Sequence, residues 1–282
     1  MIARLLAAAL LASAAASPPA ALHLDPFYTQ YRNAAGIPVV SSARTQPEAL
    51  DTAAAIVTDM LSHRPDLARE MVRQGYRVAV MAPEETTLDL PEQADWKKPA
   101  PDDARLTRCE RKHYDERIGR YTDRQYWDAR ARGMGGLLTS AATENLLAGA
   151  NDRYHGQNIF VHEFSHDIFR ASYTADLPLY TRIHAAYAAA MKAGRWQGEY
   201  ASTTAEEYWA VGTQFWFNSA PVARFDGRTV LSDADLSAYD PPLAAVLRQV
   251  YGDRHHLAAD RFWQHPDRVP PGPLPRFTAE VC

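Results

Sequence analysis

The stretch Asn158-Ile159-Phe160-Val161-His162-Glu163-Phe164-Ser165-His166-Asp167-Ile168-Phe169-Arg170 contains His-Glu-x-x-His. On a helix, residues four apart lie one turn above each other on the same face, so His162 and His166 can point imidazole nitrogens at one ion. Glu163 sits beside His162 and can reach a water on that ion. Zinc suits imidazole and carboxylate ligands, and a catalytic zinc keeps a fourth position for water. The competing reading is a surface helix that happens to carry two histidines. Phe160, Val161, Phe164 and Ile168 argue against it, because they give the helix a buried composition, and buried polar groups without partners are costly. A metal supplies that partner. The spacing therefore predicts a zinc hydrolase helix, in which the ion lowers the pKa of its water to about 7 and Glu163 takes the proton.

A third ligand has to come from downstream. After His166 the carboxylates are Asp167 and Asp176, then none until Glu199. Residues 167–173 hold neither the Gly nor the third His of the metzincin extension. Tyr173-Thr174-Ala175-Asp176 lacks the Gly that accompanies an aspartate ligand, which leaves Asp176 as the runner-up. The segment Tyr200 to Phe217 reads as a strongly aromatic, buried helix. Thr203 with Glu206 three residues on has the form of a capping box. Glu207, one step round, shares a face with Ala210, Val211 and Gln214. A carboxylate on a buried helix wants a cation, so Glu207 is the leading candidate. Glu206 replaces it if the helix register is off by one.

These residues resemble a known group. His162-Glu163-x-x-His166 with a Glu far downstream on its own helix is the gluzincin arrangement. Tyr200-x-x-Thr203-x-x-x-Glu207, followed by an aromatic pair and Ala210, is similar to the anthrax lethal-factor-like metallopeptidases. The resemblance covers only 158–166 and 200–216. It implies zinc (Zn2+) held by His162, His166 and Glu207, Glu163 as general base, and Tyr200 steadying the tetrahedral intermediate. It departs from the family at Val211, where an acid would support an active-site histidine.

The rest of the chain sets the context. Met1-Ile2-Ala3-Arg4, a Leu/Ala run over 5–16 and then Pro18-Pro19 have the form of a signal peptide, assigned to 1–21. The run is too short to span a membrane. This predicts a secreted or periplasmic protein with no integral membrane span, and a catalytic domain over 22–282. Hydrophobic residues at 46% suffice for a core, and a net charge of -4 argues against a nucleic-acid partner. The two cysteines, Cys109 and Cys282, are expected to form one bridge in an oxidising compartment.

In chain order, residues 37–40 read as a short strand. Thr45 caps a helix that runs to the Arg64-Pro65 break, residues 66–74 form a second helix capped by Gly75, and 76–81 alternate as a strand. Residues 82–112, rich in Pro and acids, read as surface loop and allow a sub-boundary, and 108–132 read as a solvated charged face. Gly133 to Ser140 is either a glycine-rich loop or an edge strand onto which an extended peptide could add. Residues 179–192 are a helix. The expected architecture is α+β: a helix-rich, zincin-like metallopeptidase fold with a small sheet lining the cleft. The expected activity is hydrolysis of peptide bonds in a peptide or protein substrate. The alternatives are a zinc hydrolase of a non-peptide substrate such as a cell-wall amide, or an inactive secreted binding protein. Retention of Glu163 speaks against the last, since a structural metal site has no use for a base.

Overall fold

The computed structural model describes residues 16–273. The export signal expected over 1–21 therefore lies mostly outside the described residues, as does Cys282. Cys109 is buried and disulfide-bonded. No helix among the described residues is long and apolar enough to cross a membrane.

The protein is α+β, rich in helix, with a small mixed sheet. Strands β1 (Gln30–Ala34) and β2 (Ile37–Ser41) form an antiparallel hairpin. Helices α1 (Pro47–Leu61) and α2 (Pro65–Gln74) then cross over to β3 (Arg77–Met81), parallel to β2. Proline opens both helices at a position where its missing N–H is not needed. Gly75, with φ +80°, closes α2 and returns its amide to the Met71 and Val72 carbonyls. Short helices α3 (Arg108–Lys112) and α4 (Asp123–Arg130) follow, then β4 (Leu138–Ala142), again parallel to β3, so the order is β1-β2-β3-β4. The one-turn helix α5 (Thr143–Leu146) leads to the motif helix α6 (Ile159–Ala175). Behind it come α7 (Leu177–Lys192) and α8 (Ala205–Trp216), a two-stranded ribbon of β5 (Ala223–Phe225) and β6 (Arg228–Val230), and α9 (Asp233–Tyr239) and α10 (Pro241–Tyr251).

The core lies where α6 meets the sheet, α2 and α8. Phe160, Val161, Phe164, Ile168 and Phe169 of α6 are almost fully buried, as are Trp209 and Trp216 of α8. Several polar groups drawn into this core are paired. The Trp209 indole donates to the Ser165 carbonyl at 3.0 Å, tying α8 to the middle of the motif. Asp240, which caps α10, accepts from the Trp196 indole and the Tyr208 hydroxyl, each at 2.8 Å. Such pairing offsets the cost of burying these groups.

Several local expectations are corrected. Thr45 is not the cap of α1; Gln46 occupies that position, and the Thr45 hydroxyl donates to the Val80 carbonyl of the sheet at 3.0 Å. Residues 82–112 are not a bare loop, since they hold α3; 108–132 are mostly exposed or half-buried as expected, yet Leu106, Ile118 and Tyr126 form a small buried cluster of their own. The charge density hid those apolar residues, which are scattered: Leu106 just before α3, Ile118 between α3 and α4, and Tyr126 in α4. Finally, the strand expected from Gly133 begins only at Leu138.

Candidate metal centre and cleft

Helix α6 starts at Asn158, whose side-chain oxygen accepts from the Val161 amide at 3.2 Å. Its amide nitrogen donates to the buried Asp260 at 2.8 Å, which anchors the helix start to the C-terminal segment. One turn in, His162 and His166 both point towards α8, their ring centroids 4.9 Å apart.

The cap of α8 is Thr204, not Thr203, and this corrects the expected register by one. The Thr204 hydroxyl accepts from the Glu207 amide at 3.1 Å. Glu207 thus holds the third helical position that the sequence assigned to Glu206. Its carboxylate does not turn back to the cap. It lies instead with Oε2 at 3.0 Å from His162 Nε2 and 3.6 Å from His166 Nε2. A carboxylate in the first turn also sits favourably in the helix dipole. Glu206 also lines the cleft, but its carboxylate pairs with Arg170 at 3.2 Å. Asp176 is committed elsewhere: it caps α7 through the Leu179 amide and accepts from Arg64, each at 2.9 Å. One ligand atom each from His162, His166 and Glu207 lies within 4.8 Å of the others, and this is the one such group among the described residues.

A buried amide decides what the histidines can do. Gln214 donates its Nε2 to the Asn158 carbonyl at 3.0 Å, so its Oε1 faces His162 Nδ1 at 3.1 Å and accepts that hydrogen. The other ring nitrogen, Nε2, is then a lone pair facing a carboxylate oxygen. Two bases in contact need a cation between them, either a proton or a metal ion. Burial pushes His162 down, but the hydrogen bond and charge of Glu207 outweigh it and hold the imidazole above its ordinary value. Burial likewise opposes the charge on Glu207, and hydrogen bonds to His162 and His166 hold its carboxyl well below the usual range. Two imidazoles and a carboxylate converging in this way suit zinc.

Gln214 was not assigned a role by sequence reasoning. The signal was present, since it lies seven residues after Glu207 on the same face of α8. Val211, between them, lines the cleft and offers no hydrogen bond. His166 Nδ1 is buried without a hydrogen-bond partner among the described residues.

Glu163 and Tyr200 complete the arrangement. Glu163 lines the cleft, and its Oε2 accepts from the Gly135 amide at 2.7 Å. Tyr200 sits in a single turn before α8 and donates its hydroxyl to Glu207 Oε1 at 3.0 Å. Burial, then the Glu207 charge, push the phenol up, so it remains a donor at neutral pH.

The cleft around these groups encloses about 640 Å³. Part of the lining is apolar, with Val211, Phe215, Ala220, Pro221 and Phe225, and Arg130 and Arg170 also line it. The segment ahead of β4 also lines it. Met134 exchanges both backbone hydrogen bonds with Ser140, at 3.3 and 2.9 Å. The outer edge of β4 at Ser140 is therefore already taken by the chain's own Gly133–Gly136 segment, which favours the loop alternative over an open edge there. Tyr154 lines the cleft, whereas His155 is exposed. Glu144, in the one-turn helix α5, is buried in an ion pair with Arg132 at 2.7 Å.

No known family model matches the chain, and no curated protein does. Among solved structures it is similar to the Pro-Pro endopeptidase of Paenibacillus alvei, at 16% sequence identity, over 75% of this chain and 96% of that one, with a TM-score of 0.43. At that level of likeness the site's own geometry is the better guide to function.

Proposed function

We propose that the protein is a zinc-dependent metallohydrolase acting on peptide bonds, of the gluzincin type that its motifs resemble, and exported through its N-terminal signal. One observation carries the reading: His162 Nε2, with its other nitrogen committed to Gln214, meets the Glu207 carboxylate at 3.0 Å beside His166, in a cleft that Glu163 also lines. His162, His166 and Glu207 would hold the ion. When bound, zinc supplies a Lewis acid for a scissile carbonyl and acidifies a water. Glu163, with Oε2 held by the Gly135 amide, takes a proton on Oε1 and delivers it to the leaving amine. Tyr200 offers its phenolic hydrogen to the oxyanion. The apolar part of the lining excludes water and receives an apolar side chain of the substrate.

The test is digestion of a peptide library with and without a chelator, together with metal analysis of protein purified without chelator. Cleavage that chelation abolishes and zinc restores, at near one zinc per chain, is the expected result. A metal-free protein that cleaves equally well would sink the reading.

Two variants probe the supporting groups. Tyr200→Phe should retain zinc and substrate affinity while turnover falls about 10²-fold, the scale of one lost oxyanion donor. An unchanged kcat would remove Tyr200 from the mechanism. Gln214→Leu removes the acceptor that orients His162 and should weaken zinc binding by about 10–100-fold, as measured by competition against a chromophoric chelator. Equal affinity in that variant would show that Gln214 merely packs.

A further inference from the structure

Asp167 follows the second histidine of the motif and belongs to none of the groups above. It is fully buried, and its carboxylate is bound by Gly136 and by Thr139 of β4. Its Oδ1 accepts from the Gly136 amide at 2.8 Å, and the Thr139 hydroxyl donates to Oδ2. The preceding amide, Gly135, is the one that donates to Glu163 Oε2 at 2.7 Å. Glu163 and Asp167 are four residues apart on α6 and so share a face. Two carboxylates one helical turn apart thus bind two consecutive amides of a single loop. The approach is close. A Cβ on Gly135 would stand 2.8 Å from the Glu163 carbonyl oxygen and 3.1 Å from His166 Cβ. Met134, just before, is held by its paired bonds to Ser140. The loop is therefore tied on one side to β4 and on the other to α6.

We infer that Asp167 is a positioning residue for Glu163, acting through the Gly135–Gly136 loop. This rests on the peptidase reading of the cleft. Asp167 holds the Gly136 amide, and that fixes where the Gly135 amide stands. The Gly135 amide then holds one oxygen of Glu163 and leaves the other turned to the cleft. A carboxylate free to rotate about its side-chain bonds would spend most of its time away from the reacting water. Displacements on the scale of an ångström at a reacting group lower turnover about 10²-fold.

The experiment compares Asp167→Ala, Asp167→Asn and Gly135→Ala in the zinc-loaded protein. Three readouts are taken: kcat and KM on a peptide cleaved by the wild type, zinc content, and hydrogen exchange of the peptide segment over 131–138. Asp167→Ala should lower kcat about 10²-fold, keep KM and zinc, and speed exchange in that segment. Asp167→Asn should restore most of the turnover and the protection, because its amide oxygen still accepts from Gly136 and its nitrogen can donate to Thr139. Gly135→Ala should lower kcat in the same way with Asp167 intact. This variant keeps the test decisive if Asp167→Ala fails to fold. The inference is overturned if Asp167→Ala keeps its kcat, if it loses zinc in step with activity, or if Asp167→Asn behaves like Asp167→Ala. A wild type that cleaves no peptide removes the peptidase reading, and unchanged exchange in Asp167→Ala removes the clamp, so the two failures are told apart.

Discussion

Glu163→Gln should bind zinc as the wild type does, melt at nearly the same temperature, and lose turnover by more than about 10²-fold, the lower bound for a general base. Glutamine keeps the shape of the side chain. Its amide oxygen still accepts from the Gly135 amide that holds Oε2 at 2.7 Å, so the loop over the cleft should stay in place. What the variant loses is an atom that can take a proton at neutral pH. Because His162, His166 and Glu207 are untouched, zinc content should not move. Steady-state kinetics on a cleaved library peptide, beside metal analysis of the same preparation, read both halves. Near-normal turnover with full zinc would take Glu163 out of the mechanism. A loss of zinc would mean instead that Glu163 binds the ion.

The second large effect separates two neighbours. Glu207→Ala should weaken zinc binding by more than about 10²-fold, beyond the 10–100-fold typical of removing a group that only supports a ligand. It leaves His162 Nε2 and His166 Nε2 without the oxygen that lies 3.0 and 3.6 Å from them. Glu206→Ala should leave zinc affinity intact. Glu206 does not cap α8; it makes a half-exposed pair with Arg170, and such pairs contribute about 0–1 kcal/mol. Zinc titration into the two metal-free variants decides. If Glu206→Ala loses the ion and Glu207→Ala keeps it, the assignment of the third ligand is reversed.

Much of this site is legible in the chain. Helical spacing alone puts His162 and His166 on one face, and the apolar residues around them mark α6 as buried. Sequence also points to Glu207, though by way of a capping box that the fold does not contain. Thr203 and Thr204 are both competent caps, and a local pattern does not choose between them. In the folded chain Thr204 is the cap, and α8 turns Trp209 towards the Ser165 carbonyl. Glu207 faces the histidines because α6 and α8 pack against each other, not because of its place in the cap.

The helices of the N-terminal half follow from proline and glycine punctuation, which acts within one or two residues and is therefore readable locally. The contacts that complete the cleft join residues far apart in sequence. Gln214 reaches His162 across 52 positions, and Gly135 reaches Glu163 across 28. Gln214 shares the face of Glu207, but that local pattern does not say which residue it reaches, and a glycine before a strand fits many environments. Residue type and spacing along the chain specify the two histidines, Glu163 beside them and the helices that carry them. Only the packing of α6 against α8 and β4 selects which carboxylate meets the histidines, which amide orients them, and which loop holds Glu163, because those choices depend on distances between elements that no local pattern contains.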